Sequence, residues 1–191
     1  MYRKPLATHN TSGFSLMELL VVIIMISVLA AIAAPSWLAL MNRQRVGAAK
    51  DRALQVMRQA QAQAKREKRT WEASFRQESE DAPVEWSVHR ESGEPQWQRL
   101  TESNADKISI YQSYTNLSNS QCSSGDYCVQ FESKGILAKK WADNQTKWNE
   151  EGEFGRITFT AVDLGDNGPK RCVVVSTILG SLRTDEGDDC Q

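Results

Sequence analysis

The chain is poor in the residues that build reactive centres. It has two histidines in 191 residues, and one of them, His9, lies near the amino terminus. The other, His89, therefore has no second imidazole nearby in sequence to share a metal ion. There is no C-x-x-C pair, no phosphate-binding glycine loop and no G-x-S-x-G elbow. Those absences argue against zinc, nucleotide and serine-hydrolase chemistry, and no cofactor or catalytic residue is expected. His89 falls on the polar side of a strand-like run, which predicts a surface or edge position. Cysteine is missing from the first 121 residues. All four cysteines, Cys122, Cys128, Cys172 and Cys190, lie beyond residue 121. An even number confined to one end suggests two disulfides formed in an oxidising compartment. Three pairings exist on paper, and sequence proximity favours Cys122–Cys128 with Cys172–Cys190. Four unpaired buried thiols are the alternative.

Charge is also missing from one long stretch. Leu19 to Met41, LLVVIIMISVLAAIAAPSWLALM, contains no Asp, Glu, Lys or Arg. About 20 apolar residues in a helix span a bilayer core, so this run is long enough. A cleaved secretory signal would have a shorter apolar region, roughly 7–15 residues, ending at small residues such as Ala33 and Ala34. Here the apolar run is longer, and no turn signal separates it from the helical pattern beyond Met41.

The remaining charge is divided unevenly. Residues 1–13 carry Arg3 and Lys4 and no acid. Residues 42–69 carry nine Lys and Arg against Asp51 and Glu67, net +7, and residues 70–191 carry 12 basic and 21 acidic side chains, net −9. A basic stalk is joined to an acidic head. In residues 42–69 the apolar side chains recur at Val46, Ala49, Ala53, Val56/Met57, Ala60 and Ala64, steps of three or four that make a narrow helical stripe. Ala, Gln, Arg and Lys favour helix. One helix is therefore expected from about Phe14 to about Lys68, softened near Pro35 and Gly47, with its alanine stripe laid on the head. Its basic face suits solvent, or charge complementarity within or between subunits, better than nucleic acid.

Beyond residue 70 several segments alternate as strands do: Val84/Trp86/Val88, Ile108/Ile110, Val129/Phe131 and Ile157/Phe159/Ala161. Cys172 to Leu179 is a near-continuous apolar run, expected to be a strand covered on both sides. Residues 163–169 (DLGDNGP) are dense in turn formers and join the last two long strands as a hairpin. Residues 112–127 and 141–155 are polar and read as loops. The expected fold class is α+β: a long helix packed on an antiparallel sheet. Of six tryptophans, Trp86 is expected in the core and Trp37 at a membrane interface or in helix packing. Trp141 and Trp148, in a polar stretch, are the candidates for an exposed contact.

The segment Gly13-Phe14-Ser15-Leu16-Met17-Glu18 places one carboxylate at the edge of the uncharged run, where an ionisable group is costly and usually functional. It closely resembles the signal of type IV prepilins and type II secretion pseudopilins. That resemblance implies cleavage after Gly13 by a prepilin peptidase, N-methylation of Phe14, and an assembly role for Glu18 as the fifth mature residue. It also puts Pro35 where pilin helices commonly carry a kinking proline. The strand segments VQFESKGIL (129–137), RITFTAV (156–162) and RCVVVSTILGSLRT (171–184) resemble the ends of minor pilins and pseudopilins of the GspH/FimT type. The resemblance implies four parts: a leader (1–13), a transmembrane and assembly helix (14–41), its amphipathic continuation (42–69) and a β-rich head (70–191). It implies a non-enzymatic minor subunit that initiates or caps a type IV pilus, with a GspH-type pseudopilin as the alternative. Major and other minor pilins and an inner-membrane assembly platform would be its partners. The head would lie outside the cytoplasm, first on the inner membrane and then in the fibre. Counting charges gives the opposite orientation, because the basic segment after the span outweighs the leader. Some relatives bind DNA through a glycine-arginine-x-arginine motif, but this chain reads Gly180-Ser181-Leu182-Arg183, followed by Asp185, Glu186, Asp188 and Asp189. The missing arginine and the acidic tail argue against nucleic acid. A reading of another class is a single-pass anchor carrying an extracytoplasmic binding domain that never polymerises.

Overall fold

The structure, a computed structural model, describes residues 13–102, 107–117, 121–144 and 153–190. The chain divides into two units, Met1–Leu40 and Met41–Gln191. One helix, α1 (Leu16–Glu67), runs through both. Trp148 and nearly all of the leader lie outside the described residues.

In the second unit α1 buries the small-residue stripe expected of it. Val46, Ala49, Ala53, Met57, Ala60 and Ala64 are completely buried. Side chains this small let the helix axis approach a sheet closely, so large residues of the sheets can fill the space between. Among the described residues, eight strands come after it: β1 (Trp71–Arg76), β2 (Glu85–Arg90), β3 (Gln98–Arg99), β4 (Ile108–Ile110), β5 (Tyr127–Phe131), β6 (Gly155–Ala161), β7 (Arg171–Val175) and β8 (Leu182–Glu186). They form two four-stranded sheets, ordered β3-β2-β1-β5 and β4-β6-β7-β8, and every pairing is antiparallel. The fold is α+β, with two sheets where one was expected. Phe75 and Phe131 of the first sheet, Ile157, Phe159 and Val173 of the second, and the helix stripe share one hydrophobic core.

The turn-rich segment 163–169 joins β6 to β7, which pair from Gly155↔Val175 to Phe159↔Arg171. β7 is covered on both faces: Val173 and Val175 enter the main core, while Cys172 and Val174 pack with Cys190. The strand is shorter than the apolar run, however. Gly180 has φ +78° and reverses the chain, leaving Ile178 and Leu179 exposed. A side chain at Gly180 would meet Gly135 O at 2.6 Å and Gln61 Nε2 at 2.7 Å. Gln61 Nε2 donates to Gly135 O and Gly180 O, tying α1 to both turns. Cys122 is bonded to Cys128 and Cys172 to Cys190, the partners nearest in sequence.

Two expectations fail here. Trp141 is not an exposed contact: it is completely buried. A short helix, α2 (Lys139–Asn144), stands where a loop was expected. It turns Trp141 and Ala142 inward and leaves Lys139 and Lys140 exposed, and the indole N–H donates to Cys128 O at 3.0 Å. Truncating so large a buried ring leaves a cavity, and Trp141→Ala should destabilise the head by about 3–5 kcal/mol. Denaturant unfolding of the full chain in detergent checks this.

His89 is the second correction, since it is 4 % exposed. Alternation does place it on the side of β2 away from α1, with its neighbour Glu72 across the ladder. That side is not open to water, because the Cys122–Cys128 loop covers it. Beneath the loop, the fully buried Glu72 carboxylate accepts from the amides of Ser123 and Ser124, from Ser74 Oγ and from Gln130 Nε2. A buried carboxylate persists only with such a set of donors. Glu72→Ala removes the acceptor and strands those donors, which should cost about 3–5 kcal/mol. Loss of the cooperative melt at a temperature where the wild type remains folded would show it.

Candidate processing and assembly site

The amino-terminal unit starts from a helix cap that apolar periodicity does not reveal. Ser15 stands immediately before α1, and its Oγ accepts the Glu18 N–H at 3.2 Å. Serine at this position satisfies one of the free donors of a first turn. Ser15 and Glu18 also have the S-x-x-E spacing of a capping box, a signal present in the sequence. Glu18 lies in the first turn of α1, where the positive end of the helix dipole favours a carboxylate. Its carboxylate has no hydrogen bond or ion pair among the described residues, and the side chain is exposed. Local structure thus holds Glu18 in position and leaves its charge available.

Gly13 and Phe14 precede the cap as exposed, irregular chain. Phe14 is 81 % exposed, and a Cβ added at Gly13 would meet nothing within 4 Å. The fold of this unit therefore makes no demand for glycine at position 13. An extended, unobstructed peptide is what a protease cleft requires of its substrate.

From Leu16 onward the large apolar side chains of the unit are exposed, from Leu19 through Ile32 to Leu40. By length and composition this stretch can cross a membrane. Its two hydroxyls are turned onto the helix backbone: Ser27 Oγ donates to Ile23 O at 2.7 Å and Ser36 Oγ to Ala33 O at 3.4 Å. Such back-bonding lowers the cost of a hydroxyl in hydrocarbon. Pro35 has no N–H for the carbonyl four residues before it, so one backbone bond is missing from an otherwise continuous helix.

The head holds a Ser–His–Glu arrangement that does not serve as a catalytic triad. Ser74 Oγ lies 3.1 Å from His89 Nε2, but Glu72 bonds the serine rather than the imidazole. His89 Nδ1 donates to Arg90 O instead. Ser74 is completely buried, so no substrate reaches it. In the neutral ring Nε2 is left as an acceptor for Ser124 Oγ at 3.0 Å, and the group fastens the disulfide loop to the sheet.

Among the described residues no ion pair joins a cation of the helix to an acid of the head. The ion pair joining α1 to the sheet runs the other way, from Glu67 of the helix to Arg90 of β2. Arg52 lies instead over the Trp86 ring at 4.8 Å. Arg183, the arginine that remains of the DNA-binding motif, is paired with Glu153 and Asp185.

Residues 8–34 match the family model described as the prokaryotic N-terminal methylation motif. The segment spans Gly13, Phe14, Glu18 and most of the exposed apolar helix. The chain thus carries a prepilin-type amino terminus, which supports a place among type IV pilins and pseudopilins, whose members are structural subunits processed by a prepilin peptidase. Comparison with curated proteins and with solved structures gave no significant match.

Proposed function

We propose that this chain is a minor subunit of a type IV pilus that initiates or caps the fibre and has no enzymatic role. The observation that carries the reading is the methylation motif at residues 8–34, set on a helix whose large apolar side chains from Leu16 to Leu40 are unburied. Cleavage falls after Gly13, and Phe14 becomes the N-methylated first residue. The chain is first held in the inner membrane with its head outside the cytoplasm. Glu18 then drives assembly: it is poorly placed in lipid, and in a fibre it pairs with the free amine of a neighbouring Phe14. Pro35 loosens the helix so that subunits pack along it. Major and other minor pilins and the assembly platform are its partners. The pairing of Arg183 with Glu153 and Asp185 and the acidic residues after it speak against DNA as a ligand.

Fibre location tests this reading. In a strain that displays pili, the mature chain should be found in sheared fibres at low stoichiometry, and its deletion should reduce fibre number. Failure of secretion with fibres intact would assign it instead to a type II secretion pseudopilus. Retention in the membrane with neither defect would favour a non-polymerising anchored domain.

A further inference from the structure

The first sheet ends in β3 and the second in β4, and α1 is left partly uncovered beside those two edges. A cleft of about 930 Å³ opens there, within the second unit. Met41, Arg45, Ala48 and Arg52 line it from one face of α1. Opposite them stand Arg99 of β3, the chain that follows it to Glu102, and Ile108 of β4. Half-buried Met41 and exposed Ala48 offer apolar surface, over a floor of buried Leu100 and Ile108.

Three guanidinium groups line this cleft, and no carboxylate neutralises them. Among the described residues Arg45, Arg52 and Arg99 form no ion pair, either with Glu102 of the same lining or with another acid. Arg45 donates to Asn42 Oδ1 at 3.2 Å, and Arg52 lies over the Trp86 ring at 4.8 Å. Arg99 accepts from Trp86 Nε1 through its backbone carbonyl, while its exposed guanidinium meets no acceptor among the described residues. The arginines of the other strands differ. Arg76 is paired with Glu85, Arg90 with Glu67, Arg156 and Arg183 with Glu153, and Arg171 with Glu186. In a head with an excess of acid, three arginines without carboxylates around one cavity make a local positive field that favours an anion.

The lining narrows the anion. Guanidinium groups suit phosphate and carboxylate, whose oxygens accept two parallel N–H bonds. Gln44, Gln98 and Thr101 add uncharged donors for the remaining oxygens. The apolar surface gains nothing from a small free anion and suits one that carries a hydrocarbon part. A nucleic-acid strand is held by a row of cations along its backbone, which one cavity does not supply. A phosphate ester with an acyl chain meets both demands. The cleft also begins where the uncharged run ends: Met41 closes that run and Arg45 is about one helical turn further on. Cations just outside a span are drawn to anionic headgroups.

We propose that this cleft binds the phosphate group of an anionic phospholipid, with Arg45, Arg52 and Arg99 on its oxygens and the start of an acyl chain against Met41 and Ala48. The inference rests on the chain's being anchored in a membrane and is independent of its entering a fibre.

The test titrates the full chain, held in uncharged dodecylmaltoside, with short-chain phosphatidylglycerol, short-chain phosphatidylcholine, glycerol phosphate and a glutamate-rich peptide. Native mass spectrometry reads the bound ligand. One phosphatidylglycerol should bind, about tenfold or more tightly than each of the others. Arg99→Gln and Arg45→Gln should each weaken it about tenfold, as expected for loss of a charge-assisted hydrogen bond. Arg58→Gln, which removes an exposed helix cation outside the cleft, should leave it unchanged. Arg99→Gln should also keep the wild-type melting temperature, since the backbone carbonyl that Trp86 uses remains. Absence of binding, equal binding of phosphatidylcholine, of glycerol phosphate or of the peptide, or equal weakening by Arg58→Gln would overturn the proposal. Flotation with phosphatidylcholine vesicles checks the anchor by itself. A chain that floats but shows no preference for phosphatidylglycerol overturns the site and leaves the anchor standing, and one that does not float overturns both.

Discussion

A Gly13→Val variant accumulates as the uncleaved precursor. The expected effect is near-complete: mature chain falls by roughly a hundredfold or more, because a branched side chain at the scissile residue obstructs entry into the peptidase. The fold does not confound this result. Gly13 lies ahead of the Ser15 cap, and a Cβ there touches nothing. A melting temperature equal to that of the wild type, together with loss of processing, would assign the glycine to recognition alone. Efficient cleavage of the variant would remove Gly13 from the processing site.

Glu18→Ala has the opposite profile: normal processing and membrane insertion, but incorporation into fibres reduced roughly tenfold or more. Losing one partner of a charge pair buried between subunits costs a few kcal/mol, and about 1.4 kcal/mol corresponds to a factor of ten. Part of the loss could instead come from a weakened helix start, since Glu18 lies in the first turn next to the cap. Glu18→Gln separates the two. The capping bond is made by the Glu18 backbone N–H, which every substitution except proline retains, and glutamine is accepted in a capping box. Assembly that fails in Glu18→Gln as well therefore assigns the effect to the charge. Assembly restored by glutamine would assign it to the helix start.

The sequence disclosed the features that depend on local periodicity. The stripe Val46-Ala49-Ala53-Met57-Ala60-Ala64 is buried as its spacing requires, and the alternating segments at 108–110, 129–131 and 157–161 lie in strands. It did not disclose what one segment does to another. His89 looks exposed in the sequence because it alternates with apolar neighbours, and only the tertiary fold lays the Cys122–Cys128 loop over that face. Trp141 looks exposed because its neighbours are polar, although a single turn of helix is enough to point one ring inward. β8, LRTDE, is hard to read as a strand because it is half-exposed and charged, and a strand at the edge of a sheet needs no apolar alternation. β1 is obscured because Glu72 and Ser74 interrupt its apolar residues, and those two are buried by pairing with polar partners.

The candidate site is more legible than the head, since a protease signal is read as extended chain and needs no tertiary context. Its cap is written in the sequence as Ser15-x-x-Glu18, but a lone carboxylate at the edge of an apolar run draws the reading toward its charge and away from its backbone. The two roles are compatible. The cap uses the backbone N–H of Glu18 and leaves its carboxylate for the assembly role proposed for it.

Intact-mass analysis of the protein extracted from membranes of its own cells tests the central claim most directly. The account predicts a single mature species beginning at Phe14 and carrying one added methyl group. A chain that retains Met1, or one that begins near Ala34, would contradict it.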